Sequence, residues 1–297
     1  MKIIVVDCKY VESEFAAAYL LIHEGRGFFI ECNTNHAIPH LVDAAAREGL
    51  TPAQIEGLLI THVHLDHAGG AGLFLKTFPH AVLYAHPRAA RHAIDPSRLV
   101  DSATRVYGLA FMERLYGTIL PCPSERVREL DDGGVVPFGP QGLEIYHVRG
   151  HANHHVIARE PVSGTVFTGD TFGVSYPILN GEGPVIIPST SPTDFDGEAA
   201  LKSVDLIESM LPSRVALTHY GFIEREWIAG AAEQLRQGIR LSLQIVSEIR
   251  SGDLTPERVE SVLASRTGIY LKRNDLDAFK IDLKVNAQGL VHAASKA

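Results

Sequence analysis

The chain has 297 residues, 45% of them hydrophobic and 21% charged, a balance that excludes disorder throughout and suits one large domain, alone or with an appendage. Lys and Arg number 27 against 35 Asp and Glu, a formal charge of −8, so there is no overall field for a phosphate backbone and nucleic acid is excluded as a default partner. No apolar run approaches the roughly 18–20 residues of a bilayer crossing, and Asp7 follows Ile3 to Val6 too early for a secretory core, so no membrane partner and a cytoplasmic location are expected.

In chain order, Ile3 to Val6, Ala17 to His23, Gly27 to Glu31 and Gly57 to Ile60 are short β-branched or aromatic runs between turn residues and read as strands. Between the last two, His36 to Glu48 places Ile38, Leu41, Val42, Ala45 and Ala46 at helical spacing, with Asn35 positioned to cap and Gly49 to terminate. Leu73 to Thr77 reads as helix and Ala81 to Ala85 as strand. A helical insertion is expected over about 87–117, carrying Tyr107, Phe111, Met112 and Tyr116. Val135 to Phe138, Leu143 to Val148, His155 to Arg159 and Thr165 to Thr168 resume short strands, punctuated by Gly133-Gly134, Gly139-Pro140 and Ser163-Gly164, and predict a second sheet. A Pro- and Gly-rich loop, Phe172 to Asp194, leads to a helix from about Glu198 to Met210 and a strand from Arg214 to Thr218. After Gly221 strand signals nearly vanish, while Ile228, Ala231, Ala232, Leu235, Ile239, Val246 and Ile249 trace one face of a long helix beginning near Trp227, the sole tryptophan. Residues 221–297 carry 11 Lys and Arg and 10 Asp and Glu, so this part is no basic arm. Two roles are open to it: closing one side of a pocket, or forming a homodimer interface.

Three cysteines, Cys8, Cys32 and Cys122, are an odd number without C-x-x-C spacing, which argues for reduced, buried thiols rather than a disulfide framework or thiolate zinc site. The 15 histidines are the compositional oddity. His62, His64, Asp66 and His67 fall within six residues just after the apolar Leu58-Leu59-Ile60. In an extended segment residues two apart point the same way, so His62 and His64 can share one ion while Asp66 and His67 follow around a turn toward a second. Gly69, Gly70 and Gly72 let backbone crowd behind such a centre. His151, Asp170 and His219 each follow a predicted strand, where loops carry functional side chains. Five His and two Asp then make two sites of mixed nitrogen and oxygen ligation.

This pattern of His-x-His-x-Asp-His, then a His, an Asp and a His resembles the metallo-β-lactamase superfamily over roughly residues 1–222. The resemblance implies an α+β fold, the αββα sandwich of two mixed sheets flanked by helices, with residues 1–222 as the catalytic domain and 223–297 as a helical C-terminal extension. It also implies that His62, His64 and His151 hold one metal, Asp66, His67 and His219 the second, and that Asp170 bridges them. The layout of the C-terminal helices is similar to that of glyoxalase II, although His151-Ala152-Asn153-His154-His155 departs from the Gly-His-Thr-x-Gly-His form familiar there.

Two divalent metal ions, zinc first and iron as the alternative, would leave about one net positive charge at the pocket floor once two Asp and a hydroxide are counted. Such a centre lowers the pKa of bound water to near 7 and polarises a carbonyl. The expected function is therefore a binuclear metal-dependent hydrolase whose metal-bound hydroxide attacks an ester, thioester, lactone or amide of a small-molecule acyl substrate. Asp66 is the expected catalytic residue, orienting the water or receiving its proton. Tyr220, Phe172 and Tyr176 are candidate substrate contacts, Phe111, Met112, Tyr116 and Tyr107 a candidate apolar wall, and Asn33-Thr34 a support. His154 and His155 are read first as structural, since a strand starting at His155 hides one of them. His23, His36, His40, His80, His86, His92, His147 and His292 are surface or packing residues. A di-iron oxygen-binding or redox protein and a phosphodiesterase are the alternatives.

Overall fold

The computed structural model describes residues 1–190 and 194–296, with Val106 and Tyr107 described by their backbone only; the expected wall residue Tyr107 thus has its side chain outside the described residues. The chain forms two six-stranded mixed sheets. The first runs, in spatial order, β1 (Lys2–Asp7), β2 (Ala17–His23), β3 (Arg26–Ile30), β4 (Ile55–Leu59), β5 (Val82–Ala85) and β6 (Val127–Glu129). The second contains β7 (Val135–Val136), β8 (Leu143–Val148), β9 (His155–Glu160), β10 (Thr165–Gly169), β11 (Arg214–Leu217) and β12 (Gly221–Glu224), ordered from β12 to β7. This is the expected α+β architecture, with a helical C-terminal extension.

The two outer connections β1–β2 and β2–β3 are antiparallel, whereas β3, β4, β5 and β6 pair in parallel. Parallel strands need crossovers. These are supplied by α1 (Ile38–Arg47), by α2 (Leu65–Ala68) with α3 (Ala71–Thr77), and by α4 (Pro87–Ile94), α5 (Ser97–Tyr107) and α6 (Leu109–Tyr116). The last three lie where the helical insertion was expected. Because parallel strands run the same way, their C-terminal ends share one edge of the sheet, and Glu31 and Thr61 come to lie there at the ends of adjacent strands.

By compactness the chain divides into two units: Met1–His147, His154–Gly169 and Thr218–Gly221 form the first, and Val148–Asn153, Asp170–Leu217 and Phe222–Ala297 the second. In the first unit Phe29, fully buried in β3, meets Phe74 edge-on with centroids 5.5 Å apart and Phe78 at 5.8 Å, while Ile38, Leu41 and Ala45 bury one stripe of α1 in the same core. Opposite, Tyr19 packs on Phe167 at 5.3 Å and Phe28 on Phe138 at 5.1 Å. The second unit contains α7 (Gly197–Ser209), α8 (Arg225–Ser251), α9 (Val259–Leu271) and α10 (Lys280–Ser295).

Several local expectations change. Asn35 does not cap α1; it opens a 3-10 turn, Asn35–Ala37, and its amide donates to Thr118 O at 2.5 Å. Pro39, in the first turn of α1, occupies a position whose N–H would lack a helical partner anyway. Gly49 does end the segment, at φ +76°. Strands β6 and β12, three and four residues long, carry too short an alternation to be read from sequence. Trp227 is 44% exposed beside Gly183, so the buried face of α8 starts at Ile228 instead. Among the described residues no helix is long and apolar enough to cross a membrane.

All three cysteines are free and buried. Burial pushes the thiols of Cys8 and Cys32 well up, aided by the Asp7 and Glu31 carboxylates respectively, and raises Cys122 to about 12 despite Arg126. A raised thiol pKa removes thiolate below that value. At pH 8 the native protein should therefore react with an aromatic disulfide reagent at none of its cysteines over minutes, and at all three after denaturation, as counted from released chromophore.

Candidate metal centre

The site is built first from a buried carboxylate. Glu31, 1% exposed, follows β3 in the left-handed region at φ +66°, and Asn33 repeats this at +56°. Glu31 N donates to Leu59 O of β4 at 2.8 Å, fixing the carboxylate beside Thr61. Its Oε1 accepts from the Thr61 hydroxyl, from Thr61 N at 3.3 Å, from His67 Nδ1 at 3.2 Å and from Thr218 Oγ1 at 3.4 Å. Burying a carboxylate costs several kcal/mol unless donors surround it. Here donors from the β4 end, α2 and the segment before β12 compensate Oε1, while Oε2 is buried with no hydrogen bond among the described residues. Glu31 is the support that sequence reasoning missed; its signal was an acid closing the apolar run Phe28-Phe29-Ile30.

These bonds determine where lone pairs point. A carbonyl or carboxylate oxygen can only accept, so His67 Nδ1 carries the proton toward Glu31, and His219 Nδ1 carries one toward Phe15 O at 2.8 Å. Thr61 Oγ1 gives its proton to Glu31 and accepts from His62 Nδ1 at 3.1 Å. Each of these imidazoles therefore has Nε2 on the side away from its acceptor, the orientation that metal-binding histidines acquire from an acceptor behind the ring. His62 Nε2 stands 2.9 Å from His64 Nδ1, near the ~3.3 Å separation of two nitrogens on one tetrahedral zinc. Asp66 Oδ2 lies 3.5 Å from His219 Nε2 and 4.0 Å from His67 Nε2; one ligand atom from each of these three residues falls within 4.8 Å of the others. The donors fit a borderline divalent cation such as zinc or iron. Glu31, His62 and His67 also cluster within that limit; there Glu31 meets His67 through the Nδ1 proton and reaches His62 only by way of the Thr61 hydroxyl, the position of a support behind the rings.

Backbone geometry holds the ligands in place. Asp66 opens α2, where the unpaired N–H groups of a helix start favour a carboxylate. Asn33 Nδ2 donates to Asp66 O at 2.7 Å, and Cys32 N to His67 O at 3.3 Å. His155 is fully buried and stacks on His62, centroids 4.6 Å apart and planes at 18°, while His154 stays half-buried and accepts from Val63 N at 3.5 Å. A Cβ on Gly169 would stand 2.7 Å from His155 Nε2, so glycine is required there.

Thus the first unit gathers His62, His64, Asp66, His67 and His219. The second brings together His151 and Asp170, with His151 Nε2 and Asp170 Oδ2 3.5 Å apart. His151 Nδ1 donates to Ser189 O at 3.0 Å, and Ser189 Oγ donates to Asp170 Oδ2 at 3.1 Å. Of the expected substrate contacts, Tyr220 is half-buried, and burial, followed by the Asp7 and Glu14 carboxylates, pushes its phenol up. Phe172 is fully buried, and Tyr176 donates to Asp282 at 3.1 Å and packs on Phe279, so both are engaged in packing within the second unit. Met112 and Tyr116 pack with Leu65, partly buried Phe111 lies against them, and Tyr116 and Tyr10 hydroxyls are 3.2 Å apart. Of the remaining histidines, His86 caps α4 through Arg88 N and His147 bonds Leu130 O.

A model of the metallo-β-lactamase superfamily matches residues 14–221. The chain belongs to that superfamily. A hydroxyacylglutathione hydrolase of Aeromonas salmonicida is 30% identical over 118 residues, 40% of this chain and 34% of the relative, so the chain spans about a third of that relative's length. An N-acyl homoserine lactonase of a Bacillus species is 29% identical over 189 residues, 63% of each. Among solved structures, a metallo-β-lactamase family protein of Thermus thermophilus superposes with a TM-score of 0.66 at 17% identity, covering 98% of this chain and 92% of that one; this shows the shared fold.

Replacing Glu31 by Gln keeps its shape and removes the charge toward which the His67 N–H is directed. Outer supports of this kind carry about 10–100-fold in metal affinity. Chelator-competition titration of Glu31→Gln should show a loss in that range, and native affinity would contradict the role of Glu31.

Proposed function

We propose that this superfamily member is a binuclear metal-dependent hydrolase of small acyl substrates, with residues 1–222 as the catalytic domain, 87–117 inserted in it and 223–297 as the extension. The observation that carries this reading is the oxygen set against Nδ1 of each of His62, His67 and His219, which turns Nε2 of His62 toward His64 and Nε2 of His67 and His219 toward Asp66. Following the superfamily pattern, His62, His64 and His151 would hold one ion and Asp66, His67 and His219 the other, with Asp170 a further ligand. Zinc is the proposed metal, and the same donors suit iron. Bound divalent cations supply a water of lowered pKa and polarise the carbonyl under attack.

The protein's own groups supply the rest. Asp66, partly exposed at the start of α2, orients the attacking water and takes its proton. Tyr220, half-buried directly after His219, donates a hydrogen bond from its phenol to the oxygen that gains charge. Ester, thioester, lactone and amide substrates share that polarised carbonyl, and the names of the hydroxyacylglutathione hydrolase and lactonase relatives support carbonyl hydrolysis.

Lactones, thioesters and phosphodiesters should be assayed before and after chelation. Hydrolysis of a carbonyl substrate is expected to vanish on chelation and return with two equivalents of zinc, and Asp66→Asn should lower kcat/KM by at least about a hundredfold. Turnover that survives chelation, or cleavage confined to phosphodiesters, would defeat the proposal; a coloured, iron-containing preparation would shift the metal assignment.

A further inference from the structure

The C-terminal helix α10 carries a polar side chain that the proposed chemistry does not use. Asn286 is 5% exposed, in a helix whose buried neighbours are Leu283, Ala287, Gly289 and Leu290. Its Oδ1 accepts from Thr190 N at 2.7 Å, its Nδ2 donates to Pro188 O at 2.7 Å, and its own carbonyl accepts from Thr190 Oγ1 at 3.0 Å. Both halves of the amide are therefore satisfied by one three-residue stretch, and the residue between its two anchors is Ser189. The Ser189 carbonyl receives the His151 Nδ1 proton, and the Ser189 hydroxyl bonds Asp170. On the other side Gly238 of α8 makes room for this stretch, since a Cβ there would stand 2.5 Å from Pro188 Cδ.

We propose that Asn286 is a positioning residue for the metal centre: through Pro188–Thr190 it fixes the two Ser189 oxygens that orient His151 and Asp170. The inference rests on the reading above that these two residues are metal ligands. A buried amide carrying two bonds of 2.7 Å is a stiff connector, because losing either bond leaves a buried donor or acceptor unpaired. The C-terminal extension thereby acts on metal affinity, a role beyond closing a pocket or pairing two chains.

The test is zinc titration against a chromophoric chelator, using the full chain at a temperature where every variant is folded. Asn286→Ala should weaken one of the two zinc-binding steps by about tenfold, the lower end of what outer supports carry. Asn286→Asp keeps an acceptor for Thr190 N but sets a carboxylate oxygen against the Pro188 carbonyl, and should weaken that step at least as much as Ala. Leu290→Ala, a cavity in the same helix, should lower Tm while leaving both zinc steps native. Native zinc binding in Asn286→Ala, or a loss matched by Leu290→Ala, would overturn the inference and leave the hydrolase reading standing. A native chain that binds no zinc or iron would overturn both.

Discussion

The bond set around the Glu31 carboxylate is the constraint on which the first unit's metal-binding geometry depends. Four donor groups from three separate segments converge on one oxygen, and the residue tolerates a left-handed backbone to present it, a conformation that costs a non-glycine residue on the order of 1 kcal/mol. That cost is small beside the penalty of a buried carboxylate stripped of donors. By accepting from His67 directly and from His62 through Thr61, this one anion orients both rings. The remainder of the first unit's ligand set follows from where parallel strands end.

The second unit solves the same problem with neutral groups. A serine supplies both oxygens, its carbonyl to His151 and its hydroxyl to Asp170, and an amide one layer further out holds the serine's neighbours. No charge is buried for this purpose, so its cost is mainly ordering the 172–190 loop. That loop is also clamped where Val174 and Ile187 exchange backbone hydrogen bonds at 2.9 and 3.1 Å, and where Gln234 of α8 receives the Ile186 N–H at 3.0 Å. Pro and Gly make the loop look featureless in sequence, yet backbone groups at Val174, Val185, Ile186, Ile187 and Thr190 each have a specific partner.

Imidazole chemistry also explains the histidine excess. His62, His67, His151 and His219 are buried with an oxygen beside each Nδ1, His155 stacks on His62, and His86 and His147 satisfy backbone groups elsewhere. The ring serves each purpose because it offers a donor and an acceptor on opposite sides of a flat apolar body.

The sequence by itself determined the αββα class and supplied the candidate ligands in their order, because the His-x-His-x-Asp-His string is local and strands and helices announce themselves by period. It also marked the long helix after Gly221 and the helical insertion. It did not mark β6 or β12, whose few residues carry no alternation, nor the start of α1, where Pro39 outweighed the capping potential of Asn35. Only the tertiary structure decided that Glu31 meets His67, that Ser189 meets His151 and Asp170, and that Asn286 holds the residues on either side of Ser189. Glu31 and Thr218 are 187 residues apart, and Asn286 lies 96 residues from Thr190; each is an ordinary polar residue in its own neighbourhood. A hydrogen bond between such residues leaves no periodic trace in the chain, and its meaning emerges only when folding removes the water that would otherwise satisfy both partners.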